Sequence, residues 1–245
     1  MTEYFDMLLK RRSFHNFKQQ CGNIEKEELA RLEDFIKNAE PLDKDIKTSF
    51  EIVPRSKTSL KVGEYAVLFY SEKKEGYLEN IGYIGEKVDL YLESRSIGVC
   101  WYGLAKPEQT EKDGLPFAIM LAIGKVPEDS FRTKEAEFNR KGLEKVWTGE
   151  KYKAVGEIAR FAPSAVNSQN WLVKESGDEL EVIRLYAGVG IIPASKIEYF
   201  NKVDIGIFML FLELSLEHFG YSFERTLEYK PLSKSEILAA TYKLK

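Results

Sequence analysis

Apolar positions along the chain fall into blocks with alternating helical and strand spacing. Between Thr2 and Leu9, Phe5, Leu8 and Leu9 share one side of a helix that runs into the basic pair Arg11–Arg12. From Ile24 to Asn38, Leu29, Leu32, Phe35 and Ile36 lie on one stripe and predict an amphipathic helix. Tyr65–Tyr70 is a wholly apolar run of β-favouring side chains, as in a strand buried on both faces. A helix is expected from about Ile84 to Ser96, with Gly98 as its left-handed cap, and then a second buried strand over Pro116–Gly124.

After Gly124 the pattern breaks. Asp129–Lys145 is rich in Lys, Arg and Glu and reads as a connection between two halves. A helix is predicted from about Glu150 to Phe161, then a turn at Ala162-Pro163-Ser164. Trp171–Glu175 and Leu180–Tyr186 flank Gly177-Asp178, the pattern of a hairpin. The last block, Val203–His218, is apolar on nearly every side and is followed by Gly220. Asp204 and Glu213 interrupt it, and it falls short of the roughly 18–20 apolar residues a bilayer requires, so a buried core helix is expected.

The order of blocks recurs. Tyr83-Ile84-Gly85 matches Asp204-Ile205-Gly206, Gly98 matches Gly220, and Ala39–Asp45 matches Phe161–Asn167, at offsets of 121 or 122 residues. Two pseudo-repeats are expected, about 1–128 and 146–232, joined by 129–145 within a single domain.

Composition narrows the function classes. With 44% hydrophobic and 31% charged residues in 245, the chain is an ordinary globular one. A net charge of −3 argues against a general nucleic-acid partner, whose phosphates call for a basic face. Glu3, Asp6 and Lys10 leave no apolar secretory segment at the N-terminus. Two cysteines, Cys21 and Cys100, allow at most one disulfide and, with His15 and His218, suggest no metal site. A reduced, cytoplasmic protein without a membrane span follows as the expectation.

Several segments carry possible chemistry. Arg11-Arg12-Ser13 offers two guanidinium groups and a hydroxyl, which can grip a phosphate or simply sit solvated. Ala162-Pro163-Ser164-Ala165-Val166-Asn167-Ser168-Gln169-Asn170-Trp171 combines small residues, uncharged hydrogen-bonding groups and an apolar strand start. It suits a flat heteroaromatic ligand with a polar chain, or equally a helix-ending turn with capping side chains. In Ile97–Gly103, two glycines would let backbone amides approach a ligand, or would serve a helix cap beside a core Trp101. Arg140-Lys141 is a further basic pair in the connecting segment.

Jointly these segments resemble the nitroreductase family. Its Arg-Arg-Ser-x-Arg-x-Phe pattern is similar to Arg11–Phe17, and its Ala-Pro-Ser-x-x-Asn-x-Gln-Pro-Trp pattern to Ala162–Trp171, with Asn170 in place of Pro. Its Gly-Leu-Gly-x-x-Trp-x-Gly helix end is similar to Ser96–Gly103, and its Arg-Lys-Pro-Leu-Glu segment to Arg140–Glu144. The Ala-Pro-Ser segment lies here in the second half, whereas the first half reads Glu40-Pro41-Leu42-Asp43-Lys44-Asp45 at the matching place. This resembles the fused, single-chain branch of the family, the Thermotoga-type nitroreductases, in which one composite site survives.

The resemblance implies an α+β fold with a central, mainly antiparallel sheet flanked by helices, and a monomer that acts as a pseudo-dimer. It implies FMN as cofactor and NAD(P)H as electron donor, with hydride passing through flavin N5 by turns to a small-molecule acceptor. Arg11 and Ser13, helped by Arg12 and by Arg140 or Lys141, would hold the phosphate or ribityl chain. His15 would stand near N1 of the ring, where relatives carry a cation. Pro163, Ser164 and Asn167 would contact the flavin from the opposite half, and the backbone of Tyr102 and Gly103 would face its reactive edge. No protein side chain would act as the catalyst, since the flavin carries the chemistry. Alternatives are a flavin-binding or flavin-storing protein without turnover, and an interaction module without cofactor.

Overall fold

The computed structural model describes residues 4–186 and 193–245, so the start of the helix expected from Thr2 lies outside the described residues. The chain divides into two compact units. In sequence order only, the inner unit is Lys10–Glu135 and the outer unit is made of the flanking segments Met1–Leu9 and Ala136–Lys245. The division falls inside the polar stretch 129–145, which consists of short 3-10 turns at Glu128–Ser130, Glu135–Glu137 and Leu143–Lys145.

Chain order opens with α1 (Phe5–Leu8), a single turn belonging to the outer unit. In the inner unit, α2 (Lys26–Asn38) buries Leu32 and Ile36 of its apolar stripe. Then follow β1 (Thr48–Pro54), β2 (Tyr65–Ser71), α3 (Tyr77–Glu93), β3 (Ile97–Tyr102), the two-residue β4 (Glu111–Lys112) and β5 (Leu115–Lys125). The sheet runs β1-β2-β5-β3, antiparallel throughout, with β4 paired to β5. Its register sets Phe50 opposite Phe69, Val67 opposite Leu121 and Val99 opposite Ile123. The central strands β2 and β5 are buried on both faces, as their unbroken apolar sequences require.

Two expectations are corrected here. The helix α3 begins at Tyr77 rather than near Ile84, behind a left-handed Gly76 (φ 78°). Its first turns carry Glu79 and Asn80, polar residues that break the apolar pattern yet are buried. Gly98 is not its cap but a residue of β3; Ser96 (φ 57°) makes the left-handed step instead. Glycine is required at 98 by proximity, because a Cβ there would lie 2.7 Å from the Phe14 ring and 2.9 Å from Val126.

In the outer unit, β6 (Trp147–Thr148) and α4 (Lys153–Ala159) precede the hairpin β7 (Trp171–Ser176) and β8 (Glu179–Leu185). Gly177 takes φ 64° in the hairpin turn. Helix α5 (Ala194–His218) starts nine residues before the expected Val203, and β9 (Phe223–Pro231) and β10 (Glu236–Leu244) close the unit. The sheet order is β6-β7-β8-β10-β9, antiparallel except for the short β6–β7 pair. Phe208 of α5 stacks on Trp171, with ring centroids 4.8 Å apart. Among the described residues no helix is long and apolar enough to cross a membrane.

The fold is thus α+β with antiparallel sheets, as expected, but two five-stranded sheets take the place of one central sheet. In both units, the two-residue β4 aside, an antiparallel strand pair is followed by a helix and two more strands, and the last strand inserts between that pair and the third strand. The inner order β1-β2-β5-β3 and the outer order β7-β8-β10-β9 are the same pattern.

Candidate functional site

The segment after α1 is pinned along the edge strand β3. Ser13 bridges Val99, and the Phe14 amide donates to the Val99 carbonyl at 3.0 Å, because Phe14 and Phe17 are drawn into the apolar core of the inner unit. This sets Arg11 facing α3 rather than solvent. Arg11 is 1% exposed, with Nη2 3.2 Å from Asp89 and Nε 3.4 Å from Glu86. Glu86, Asp89 and Glu93 fall at three- and four-residue spacing on α3 and so share one side of it. Glu93 accepts the Arg12 amide at 3.1 Å, and Glu86 also accepts Nε1 of Trp101 at 3.1 Å.

Burial works against the charge on Arg11, but Asp89, Glu86 and Glu93 together outweigh it and raise its pKa. Burial pushes the Glu93 carboxyl well above the usual range, reinforced by the neighbouring Asp89. It raises Asp89 as well, against the opposing pull of Arg11. The Cys100 thiol beside this cluster is pushed up to about 12, first by burial and then by Asp89. Three buried carboxylates against one guanidinium cannot all stay ionised cheaply, which is the physical reason the Glu93 and Asp89 carboxyls are raised.

Arg11 is therefore placed as the counter-ion of a buried acid cluster, and the guanidinium expected to grip a phosphate is engaged inside the unit. Arg12 keeps partial exposure and donates from Nη1 to the Ser130 carbonyl at 3.0 Å. Ser13 Oγ accepts a long bond from Arg11 (3.4 Å) and retains its own hydrogen to donate. His15 is exposed, with Nδ1 3.4 Å from Cys100 Sγ, and its carbonyl accepts the Tyr102 hydroxyl at 2.7 Å. Tyr102 and Gly103 are half-buried, and the adjoining Leu104 is 62% exposed. The inner unit thus brings Arg12, Ser13, His15 and Tyr102 to neighbouring positions around the end of β3.

In the outer unit the Ala162–Trp171 segment forms a loop with three left-handed residues, Val166 (φ 49°), Asn167 (φ 58°) and Gln169 (φ 48°). For a β-branched residue such as Val166 this backbone is strained, and it persists only where the surroundings over-determine it. They do. Arg140 donates to the carbonyls of Phe161 (3.2 Å) and Ala162 (3.1 Å) and to Oδ1 of Asn167 (2.8 Å). Nζ of Lys141 donates to the carbonyls of Ser168 (2.8 Å) and Gln169 (2.9 Å), and burial lowers its pKa. Ser164 Oγ accepts the Gln169 amide at 2.9 Å and, like Ser13, keeps a hydrogen to give.

Arg140 and Lys141, expected beside Arg11 and Ser13, are joined instead with Ser164 and Asn167 in one network through Gln169. Sequence reasoning missed Asp204, buried on α5, which accepts the Ala165 amide at 2.8 Å and the Ser168 hydroxyl at 3.3 Å. Its carboxyl is pushed up to about 7, chiefly by burial. Its place as one of two acids, with Glu213, inside the apolar run Val203–Leu216 was the available sign. Sequence reasoning also missed Glu86, Asp89 and Glu93, whose shared side of a buried helix calls for a buried cation.

The donor sets fit a phosphate-bearing, ring-bearing group. In the inner unit Arg12 and the Ser13 hydroxyl are donors and Leu104 offers apolar surface; in the outer unit the Ser164 hydroxyl is a donor and Val166 (39% exposed) is the exposed apolar side chain. No curated protein matches the chain. Among solved structures it resembles a putative nitroreductase from Thermotoga maritima, at 20% identity and TM-score 0.60, over 98% of this chain and 92% of that one. A nitroreductase family protein from Clostridium novyi NT matches 52% of this chain and 88% of its own at 16% identity, but its TM-score of 0.39 is too low to argue from. The first likeness shows a nitroreductase-like fold, and family and fold support an oxidoreductase-type function. The model of the family described as "Putative TM nitroreductase" matches residues 3–216, nearly the whole chain, and the chain belongs to that family.

Proposed function

We propose that the chain is an FMN-dependent NAD(P)H oxidoreductase of the nitroreductase type, reducing a small-molecule acceptor. The observation that carries the reading is the Ala162–Trp171 loop. A strained backbone held by a dense network, with an exposed apolar side chain and a hydroxyl free to donate, is costly unless it presents itself to a ligand. FMN, when bound, would supply reversible hydride acceptance from a nicotinamide and onward electron transfer. The chain's own residues bind and orient. Within the inner unit Arg12 and Ser13 suit the phosphate or ribityl chain, and His15, Tyr102 and Gly103 the ring; within the outer unit Ser164, next to Pro163, offers a hydroxyl to a polar group of the ligand. Arg11, Arg140, Lys141 and Asn167 act one step back, holding these groups in place.

We read the two units as copies of one ancestral unit, because their strand orders coincide and three short sequence anchors recur at offsets of 121 or 122 residues. Only the outer copy keeps the Ala-Pro-Ser sequence, so one FMN per chain is expected. The test is direct. Protein purified without added flavin should carry FMN released by denaturation at one equivalent, and anaerobic NADH or NADPH should bleach its visible absorbance. A colourless protein that takes up no FMN would refute the reading; a yellow protein that neither nicotinamide bleaches would leave a flavin carrier.

A further inference from the structure

Within the same chain, one structural task is performed twice by different chemistry. In the inner unit the Asp43 amide donates to Oδ1 of Asn80 on α3 at 3.1 Å. In the outer unit the Ala165 amide donates to Oδ1 of Asp204 on α5 at 2.8 Å. Asp43 and Ala165 are the matching positions of the two loops, at the offset of 122 already noted. Asn80 and Asp204 are both buried. A neutral amide therefore suffices to anchor one loop amide to the central helix, and an acid at 204 adds the cost of a buried charge.

What the acid adds is a second acceptor. Oδ2 of Asp204 takes the Ser168 hydroxyl at 3.3 Å, so its two oxygens hold both sides of the left-handed pair Val166–Asn167. The inner loop, residues 39–46, is tied to α3 by Asn80 and by Lys87, which donates to the Glu40 carbonyl at 2.8 Å, and it contains no left-handed residue. Farther along, Asn170 donates to the Asn201 carbonyl at 3.0 Å, fixing the loop's exit to the same helix.

We infer that Asp204 is a positioning residue, whose two-point grip on Ala165 and Ser168 holds the 162–170 loop in the strained form that presents Ser164 and Val166 to a ligand. For its ligand this rests on the FMN reading, but the loop's conformation can be measured without any flavin. Asparagine at 204 would keep Oδ1 for Ala165, and its Nδ2 could donate to Ser168 Oγ, which can then still donate to Asn170, 3.2 Å away. Alanine would remove both bonds.

The experiment compares wild type, Asp204→Ala, Asp204→Asn and Ser168→Ala as full-length protein. Hydrogen exchange is followed in the flavin-free state, and FMN is titrated separately by fluorescence. In Asp204→Ala, protection of the Ala165 amide should fall about tenfold or more, as expected for a bond to a charged group, and FMN should bind about tenfold more weakly. Protection of Phe208–Leu212 should not change, and Asp204→Asn should restore both values. Should the alanine variant fail to fold, Ser168→Ala carries the test, with faster exchange at Gln169 and weaker FMN binding expected. Unchanged loop exchange, or exchange accelerated equally along α5, overturns the inference. If no protein binds FMN, the functional reading fails while the exchange data still decide the role of Asp204.

Discussion

Arg11→Ala should unfold the inner unit more readily, and by an amount that depends on pH in a defined direction. The guanidinium lies 3.2 Å from Asp89 and 3.4 Å from Glu86 with all three groups excluded from solvent. At an effective dielectric constant of about 20, each contact corresponds to about 5 kcal/mol of attraction. The full sum is not lost, because a deserted carboxylate can take up a proton instead. Protonating one aspartate of ordinary pKa 3.8 at pH 7 costs about 4 kcal/mol, and at pH 5 about 2 kcal/mol. The expected destabilisation is therefore about 3–4 kcal/mol at pH 7, in the range for breaking a buried ion pair. It should shrink to roughly half at pH 5. The sign follows from proton counts. The variant's cluster binds more protons than the wild-type cluster, so its native state gains relative stability as pH falls. Urea unfolding at pH 5, 7 and 8, followed by tryptophan fluorescence with Trp101 inside the affected unit, measures both quantities. Unchanged midpoints at pH 7, or a deficit that grows toward acid, would refute the argument. If stability held and FMN affinity alone fell, the guanidinium would belong to the phosphate after all.

Other outcomes follow from the same contacts. Asp204→Asn should stabilise the protein above pH 7, with about 4 kcal/mol as the ceiling, since burial lifts the acid from 3.8 to about 7. That pKa is raised on folding, so the wild type loses stability as pH rises from about 3.8 to about 7 while the variant does not; parallel stability–pH curves would contradict this. Gly85→Ala would set a Cβ 2.4 Å from Cη2 of Trp101 and should cost about 1–3 kcal/mol by overpacking, read from thermal melts. Asn167→Ala should shed flavin on gel filtration, because it removes the Arg140 partner that fixes the loop, whereas Asp45→Ala should stay yellow. Val166→Gly should relieve about 1 kcal/mol of left-handed strain yet loosen the loop, so that stability is kept while FMN affinity falls.

Elements buried on both faces were the most legible in the sequence. Tyr65–Tyr70 and Pro116–Gly124 read as strands because no charge interrupts them, and both are central strands. Strand β9 alternates half-buried and exposed positions from Phe223 to Lys230, a period-two pattern that is present in the sequence, but its charges disguised it. The early start of α3 was hidden by Glu79 and Asn80, which a local pattern assigns to the surface and the fold buries. In the site, residue identities were legible but their partners were not. Arg11 looks like any solvated basic residue until α3 brings Glu86, Asp89 and Glu93 against it, a contact spanning 78 positions to Asp89. The left-handed turn at Val166 has no sequence sign at all, because its cause is a carboxylate 38 positions later, at 204.

The stacking of Phe5 on His218, ring centroids 3.5 Å apart, bears on the order in which the chain can fold. These rings are 213 positions apart in sequence (218 − 5), and the inner unit of 126 residues (10 to 135) lies wholly between them. Once that unit has formed, the Arg132 amide donates to the Lys10 carbonyl at 2.8 Å, so its entry and exit are side by side. The chain left to close then behaves as one of about 87 residues, which lowers the entropic cost of the Phe5–His218 contact by about 0.8 kcal/mol. On a ribosome, residues 10–135 can condense while the rest is still being made, but the N-terminal turn must wait for α5. The turn that precedes the inner unit along the chain is thus among the last elements to find its place.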